Sequence, residues 1–168
     1  MMLSIILLAF VTIQRIGELV LAHRNTARLK ARGAVETGAE HYPLIVGLHA
    51  AWVVGLWALA WDRPVNMGWL AVFLVLMALR IWTLASLGER WTTRIITLPG
   101  EPRIRRGPYR FISHPNYVVV VGEVAVLPLA FGLNVYALVF SLLNASVLWI
   151  RIRAENAALA AAEGREAA

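Results

Sequence analysis

The chain has 168 residues, 60% of them hydrophobic and 15% charged, with a mean hydropathy of +0.66. A soluble domain of this length has too small a core to hide so much apolar surface, and several runs approach the roughly 20 apolar residues that cross a bilayer, so soluble globular classes are excluded. There are no cysteines, which excludes disulfides, thiolate metal sites and cysteine nucleophiles, and the net charge of +6 reads as basic loops facing anionic lipid, not as a nucleic-acid surface.

The first apolar run, 3–22, has no basic region before it and no small-residue cleavage site after it, and reads as a retained helix, not a signal peptide. It carries Arg15 and Glu18. The connector 23–42 follows, with Arg24, Arg28, Lys30 and Arg32. The second run, 43–61, is joined by the turn "DRPV" to the third, 66–87, which contains Arg80. The connector 88–114 holds Arg90, Arg94, Arg103, Arg105, Arg106 and Arg110. The fourth run begins at Pro115, contains Glu123 and ends near Phe131. The fifth, 133–152, is expected to continue as helix into "AENAALAAAEGREAA", with Arg151, Arg153 and Arg165 in the tail. The expected fold class is an all-α polytopic integral membrane protein. It has about five transmembrane helices and a cytoplasmic C-terminal helix, in a single domain over 1–168.

Orientation follows from the arginines. With five crossings, both rich connectors and the tail fall on one face. The turns at 62–65 and around Gly132 fall on the other, with Arg63 as their one basic residue. The positive-inside rule then places the N-terminus outside and the C-terminus in the cytoplasm of a cell membrane. Tyr42, Trp61, Trp69, Trp91, Tyr117 and Trp149 lie near span ends and read as an interfacial belt. Trp52, Trp57 and Trp82 lie deeper, as candidates to line a lipid-accessible groove.

Charges inside a membrane are costly and face protein or a watery cavity. Arg15 and Glu18 are three apart, share a helix face and can simply pair with each other. On the topology above, however, Arg15, Glu18, Arg80 and Glu123 all lie in the cytoplasmic half of their spans. A polar pocket opening to the cytoplasm explains the four jointly.

The connector segment "RRGPYRFISHPNY", 105–117, is the densest polar chemistry in the chain. Pro115 holds His114 toward extended geometry and suits the first turn of a helix, so Ser113 or His114 caps a helix starting there. Its electropositive end suits an anionic group, and nearby arginines add donors. A helix start anchored to lipid phosphates would carry the same pattern. Gly107-Pro108 reads as a tight turn toward this mouth.

"GPYRFISHPNY" closely resembles the signature of the isoprenylcysteine carboxyl methyltransferase family, and "RIRAEN", Arg151–Asn156, resembles that family's Arg-x-x-x-Glu-Glu stretch. The resemblance covers roughly 70–160. It implies a membrane enzyme using S-adenosylmethionine, bound at the cytoplasmic face by 88–117 and 151–160, with lipophilic acceptors entering sideways from the bilayer. "NTARLKARGAVETGAEHYPLIVGLHAAW" and "ERWTTRIITLPGEP" resemble short bacterial members similar to alkylpyrone and alkylresorcinol O-methyltransferases. Three positions depart from the family pattern: Ser113 and Asn156 replace an arginine and a glutamate, and Val119 a glycine. The first two put a prenylcysteine carboxylate acceptor in doubt.

The resemblance guides the site expectations. His114, Pro115 and Tyr117, with Arg106 or Arg110, suit the methionine carboxylate of S-adenosylmethionine. Glu155 suits its ammonium or a ribose hydroxyl, Arg151 of the same late motif is a further cofactor-binding candidate, and Tyr109 and Tyr117 suit the sulfonium. S-Adenosylhomocysteine is the expected product. A phenol or enol acceptor must lose a proton; Glu123 is the first candidate base and Glu18 the second, with Arg80 the third member of the candidate catalytic set. The alternative is that Glu123 pairs with Arg80 structurally. His23, His41 and His49 share no metal-ligand spacing and read as interfacial or packing residues, so no metal is expected. The expected partners are a lipophilic small molecule and membrane lipids, with no nucleic acid. Three competing readings remain: carboxyl methylation of an isoprenylcysteine-like substrate, an NADPH-dependent membrane reductase (sterol reductases carry a similar "HPNY"), and a non-catalytic lipid-binding scaffold.

Overall fold

The computed structural model describes residues 1–99, 101 and 104–166; Arg103 and the side chain of Arg165, counted above among the basic residues, lie outside that description. Five helices build the fold: α1 Met2–Ala31, α2 Tyr42–Ala60, α3 Met67–Leu87, α4 Pro115–Ala130 and α5 Asn134–Glu166. All but α4 are long and apolar enough to cross a membrane, and the chain is an all-α, multi-pass membrane protein. The bounds follow the apolar runs, except that α1 continues beyond its run to Ala31 and α5 carries its helix through the tail.

The expectation of about five spans meets a difference at α4. Its 16 residues rise about 24 Å, short of a hydrocarbon core about 30 Å thick. Packing explains how so short a helix is tolerated. α4 lies against α3 and α5 over most of its length, and Val119, Val124 and Leu127 are buried among its neighbours. Much of its surface meets protein in place of lipid.

Two polar ends follow from the caps and turns. The Asn66 side chain accepts from the Trp69 amide at 3.1 Å and starts α3, while the Asn66 amide donates to the Ala130 carbonyl at 2.8 Å. Gly132, at φ 71°, takes the left-handed geometry that closes α4. Ser4 Oγ donates to the Arg63 carbonyl at 2.5 Å. The start of α1 and the turns after α2 and α4 therefore share one end. The arginine-rich connectors meet at the other, as the charge distribution requires. There, β1 (Val35–Thr37) and β2 (Ile95–Thr97) form a two-stranded antiparallel sheet in the register Val35↔Thr97. This sheet was not expected from the sequence. Glu36 binds it together by pairing with Lys30 at 2.5 Å and with Arg94.

The apolar core runs through Leu8, Trp52, Leu56, Phe73, Val124 and Leu127. Trp52 belongs to this core and is 1% exposed. Trp57 packs against it and donates to Thr12 Oγ1 at 2.9 Å, and Trp82 is exposed. None of the three lines the cavity described next.

Candidate functional site

A cavity of about 530 Å³ runs from the arginine-rich end into the bundle. Its outer part is walled by Arg90, Arg94, Tyr109, His114, Tyr117, Arg151 and Glu155, and deeper in it meets Arg15, Glu18 and Arg80. Beside these lies an apolar lobe between α1 and α2, bounded by Ile16, Leu19, Val46 and Val54. Ile16, Leu19 and Val54 are also strongly exposed on the outside of the bundle. A residue that is both cavity wall and outer surface marks a rim, so the lobe opens toward lipid.

At the outer end, His114 is the N-cap of α4, with no capping bond from its side chain, and Pro115 follows as a buried first helical residue. The Tyr117 and Val118 amides both donate to the His114 carbonyl, at 3.1 and 3.3 Å, and Pro115 has no N–H. The helix start therefore offers fewer donors than its sequence suggested, and side chains carry the polarity of the mouth. The Asn156 amide oxygen lies 3.2 Å from His114 Nε2, while Glu155 Oε1 lies 3.7 Å from Nδ1. Tyr117 donates its hydroxyl hydrogen to Glu155 Oε2 at 2.5 Å. The late motif on α5 and the His-Pro segment on α4, far apart in sequence, thus form one contact.

Tyr109 reaches the same space from the turn Gly107–Arg110. Gly107 has φ 59°, and a Cβ there would lie 1.9 Å from Ser86 Oγ, so only glycine lets this turn close on α3. Arg106 Nε donates to the Ser86 carbonyl at 2.8 Å and pins the same turn. Burial first, and then the Glu155 charge, push the Tyr109 phenol above its ordinary range. It stays protonated at neutral pH, a donor and a neutral ring, and not a base.

Deeper in, four charges close into a neutral set. Arg80 donates to both oxygens of Glu18, the Nη2–Oε2 distance being 2.5 Å, and to Glu123 Oε2 at 2.7 Å. Arg15 donates to the same Glu123 oxygen at 2.5 Å and lies 3.5 Å from Glu18. Pairing of this kind is what lets ionised groups persist away from water. Glu123 is 1% exposed and does not line the cavity; its Oε2 pairs with both Arg80 and Arg15.

Of the residues singled out from sequence, His114, Tyr117, Tyr109, Arg151, Glu155, Glu18 and Arg80 converge on this cavity. Pro115, Arg106, Arg110 and Glu123 do not line it. Arg106 is an anchor on Ser86, and Arg110 lies over the Phe111 ring, 5.9 Å from its centroid. Arg90 and Arg94 reach the mouth in their place, beside Arg151, with Arg94 4.0 Å over the Tyr42 ring. Sequence reasoning also passed over Asn116, which lines the cavity, and Asn156, read there only as a departure. His49, read as a packing residue, lines the cavity as well. The usable signal for His49 was its place in the middle of an otherwise apolar run.

Comparison with known proteins agrees with this geometry. Residues 69–161 match the model of the isoprenylcysteine carboxyl methyltransferase family, a stretch that contains His114, Tyr117 and Glu155. The uncharacterized protein YpbQ of Bacillus subtilis is 37% identical over 159 residues, covering 92% of this chain and 95% of that one. An uncharacterized protein of Haemophilus influenzae is 26% identical over 152 residues, covering 86% of this chain and 88% of its own. No solved structure gives a significant match. With the two motifs in contact at one end of a helical membrane bundle and more than half of the chain matched, this protein belongs to the isoprenylcysteine carboxyl methyltransferase family and is a multi-pass membrane methyltransferase.

Proposed function

We propose that the protein methylates the hydroxyl oxygen of a long-chain phenolic or pyrone lipid, an alkylresorcinol or alkylpyrone, using S-adenosylmethionine and releasing S-adenosylhomocysteine. The observation that carries the reading is the continuity of one cavity. A polar mouth built from the His-Pro segment and the α5 motif leads into an apolar lobe with a lipid-exposed rim. A water-soluble donor and a membrane-resident acceptor can meet there without either leaving its own solvent.

The donor supplies a methyl group on a sulfonium, next to an amino acid carboxylate and a nucleoside. The mouth suits these handles. Arg90 and Arg94 favour the carboxylate, a role that passes to them from Arg106 and Arg110. Glu155 suits the ammonium, Arg151 suits a ribose hydroxyl as a donor, and the Tyr109 and Tyr117 rings suit the cationic sulfur. Methyl transfer is an in-line displacement, in which alignment and exclusion of water supply much of the rate. The arginine distribution supports an outside N-terminus, with the mouth facing the cytoplasm.

The test uses detergent-purified protein. S-Adenosylhomocysteine should raise its unfolding temperature and NADPH should not. Radiolabelled methyl should pass from S-adenosylmethionine to a long-chain alkylresorcinol or alkylpyrone. His114→Ala should abolish S-adenosylhomocysteine binding by calorimetry. Stabilisation by NADPH alone overturns the reading in favour of a reductase, and labelling of a prenylcysteine carboxylate alone overturns the acceptor.

A further inference from the structure

His49 sits two turns inside α2 and lines the cavity beside the apolar lobe. Its Nδ1 lies 2.9 Å from the Ile45 carbonyl oxygen of its own helix. A carbonyl only accepts, so Nδ1 carries the hydrogen, and in a neutral imidazole Nε2 keeps its lone pair. The Nδ1 edge is tied back to the α2 backbone, which leaves Nε2 as the ring nitrogen available to a molecule in the cavity that His49 lines. The bond to Ile45 thus fixes the tautomer of the ring.

The surroundings say what such a lone pair is for. A carboxylate acceptor arrives already ionised and needs no base, whereas a phenolic hydroxyl must give up its proton. The Nε2 lone pair repels a carboxylate and accepts a hydrogen bond from a hydroxyl. Glu18 lines the same cavity, but its two oxygens are engaged by Arg80, and Glu123 does not reach it.

We propose that His49 is the catalytic base of the acceptor half-site, serving an acceptor whose hydroxyl is still protonated, a resorcinol in preference to a pyrone or a lipid carboxylate. The inference rests on the methyl-transfer reading above and deepens it. The acceptor hydroxyl hydrogen-bonds to Nε2. As an oxygen lone pair forms the O–CH3 bond, the S–CH3 bond breaks and its electron pair stays on sulfur as a neutral thioether. The proton moves to Nε2, so the positive charge lost from the sulfonium reappears as an imidazolium. His49 is regenerated by releasing that proton along the polar part of the cavity to the mouth.

The need for a base falls as the acceptor becomes more acidic, and this separates catalysis from packing. A resorcinol hydroxyl ionises in the range of tyrosine, about pH 10, whereas a 4-hydroxypyrone is a vinylogous acid, already ionised at neutral pH. His49→Asn retains a polar group able to meet the Ile45 carbonyl and lacks Nε2; His49→Gln serves as the second variant. With an alkylresorcinol, both variants are expected to lower kcat about 10²–10⁴-fold, with KM changed little. With a 4-hydroxy-alkylpyrone the loss should be less than about tenfold by the same argument. S-Adenosylhomocysteine affinity by calorimetry and the unfolding temperature should match wild type. Equal losses on both acceptors, or no loss on the resorcinol, overturn the base role. Wild-type protein that fails to bind S-adenosylhomocysteine overturns the donor reading and the base role with it, and calorimetry identifies that case before any turnover is measured.

Discussion

At the scale of single residues, Glu123 and Arg80 show how a membrane interior decides roles. A carboxylate at this depth is stable while ionised only if its partners are fixed, and Glu123 Oε2 takes hydrogen bonds from both Arg15 and Arg80. Glu123→Gln should therefore cost stability, about 3–5 kcal/mol if the arginines are left without a counter-charge, read as thermal unfolding in detergent. The surviving enzyme should keep the wild-type dependence of turnover on pH; a displaced pH profile would restore Glu123 as a proton acceptor. The depth of these charges was legible in the sequence, because ionisable residues stand out in apolar runs. Their pairing was not. Arg15 and Glu18 are neighbours on one helix, but the stronger partner of Glu18 is Arg80, on another helix, and only helix packing brings it there.

At the scale of elements, the connectors matter more than the helices. Gly107 lets the turn carrying Tyr109 lie against α3, and Gly107→Ala would place a Cβ against Ser86 at a positive φ. The substitution should lower stability by about 1–3 kcal/mol and weaken S-adenosylhomocysteine binding, since Tyr109 and His114 move with the turn. Calorimetry checks both. The β1–β2 pairing explains why Arg94, and not Arg106 or Arg110, reaches the cavity. Strands of three residues carry no readable alternation, and these two are joined across a whole pair of helices, so the sequence held no sign of them. Burial raises the Glu36 carboxyl, but Lys30 and Arg94 outweigh it and hold it below its ordinary value of 4.5. A lowered value contributes stability that is complete above the unfolded carboxylate value and is lost as the pH falls through the folded one. Glu36→Gln should therefore destabilise at neutral pH, by about 1 kcal/mol, since the partners Lys30 and Arg94 remain in contact with solvent. The difference from wild type should vanish in acid. A difference that persists well below pH 4.5 would deny the ion pairs this role.

At the scale of the whole molecule, topology can be tested in the native background, because the chain has no cysteines. Arg63→Cys should react with a membrane-impermeant maleimide added to intact cells, and Arg28→Cys only after permeabilisation; the reverse pattern inverts the orientation. The helices, their order and the two ends of the bundle were readable from hydropathy and arginine counts, because a bilayer imposes length and charge rules on every span. A polar pocket at the arginine-rich end was legible in the buried charges; its apolar lobe was not, since that shape depends on how α1 and α2 stand apart. The neutral set of four charges also bears on how the chain is made. α1 is synthesised first and brings Arg15 and Glu18 as a pair that already offsets itself, 3.5 Å apart. Arg80 follows on α3 and finds Glu18 waiting, and Glu123 comes last on α4 to two arginines already in place. The order of synthesis is thus one in which each newly inserted ion meets an opposite that has arrived before it.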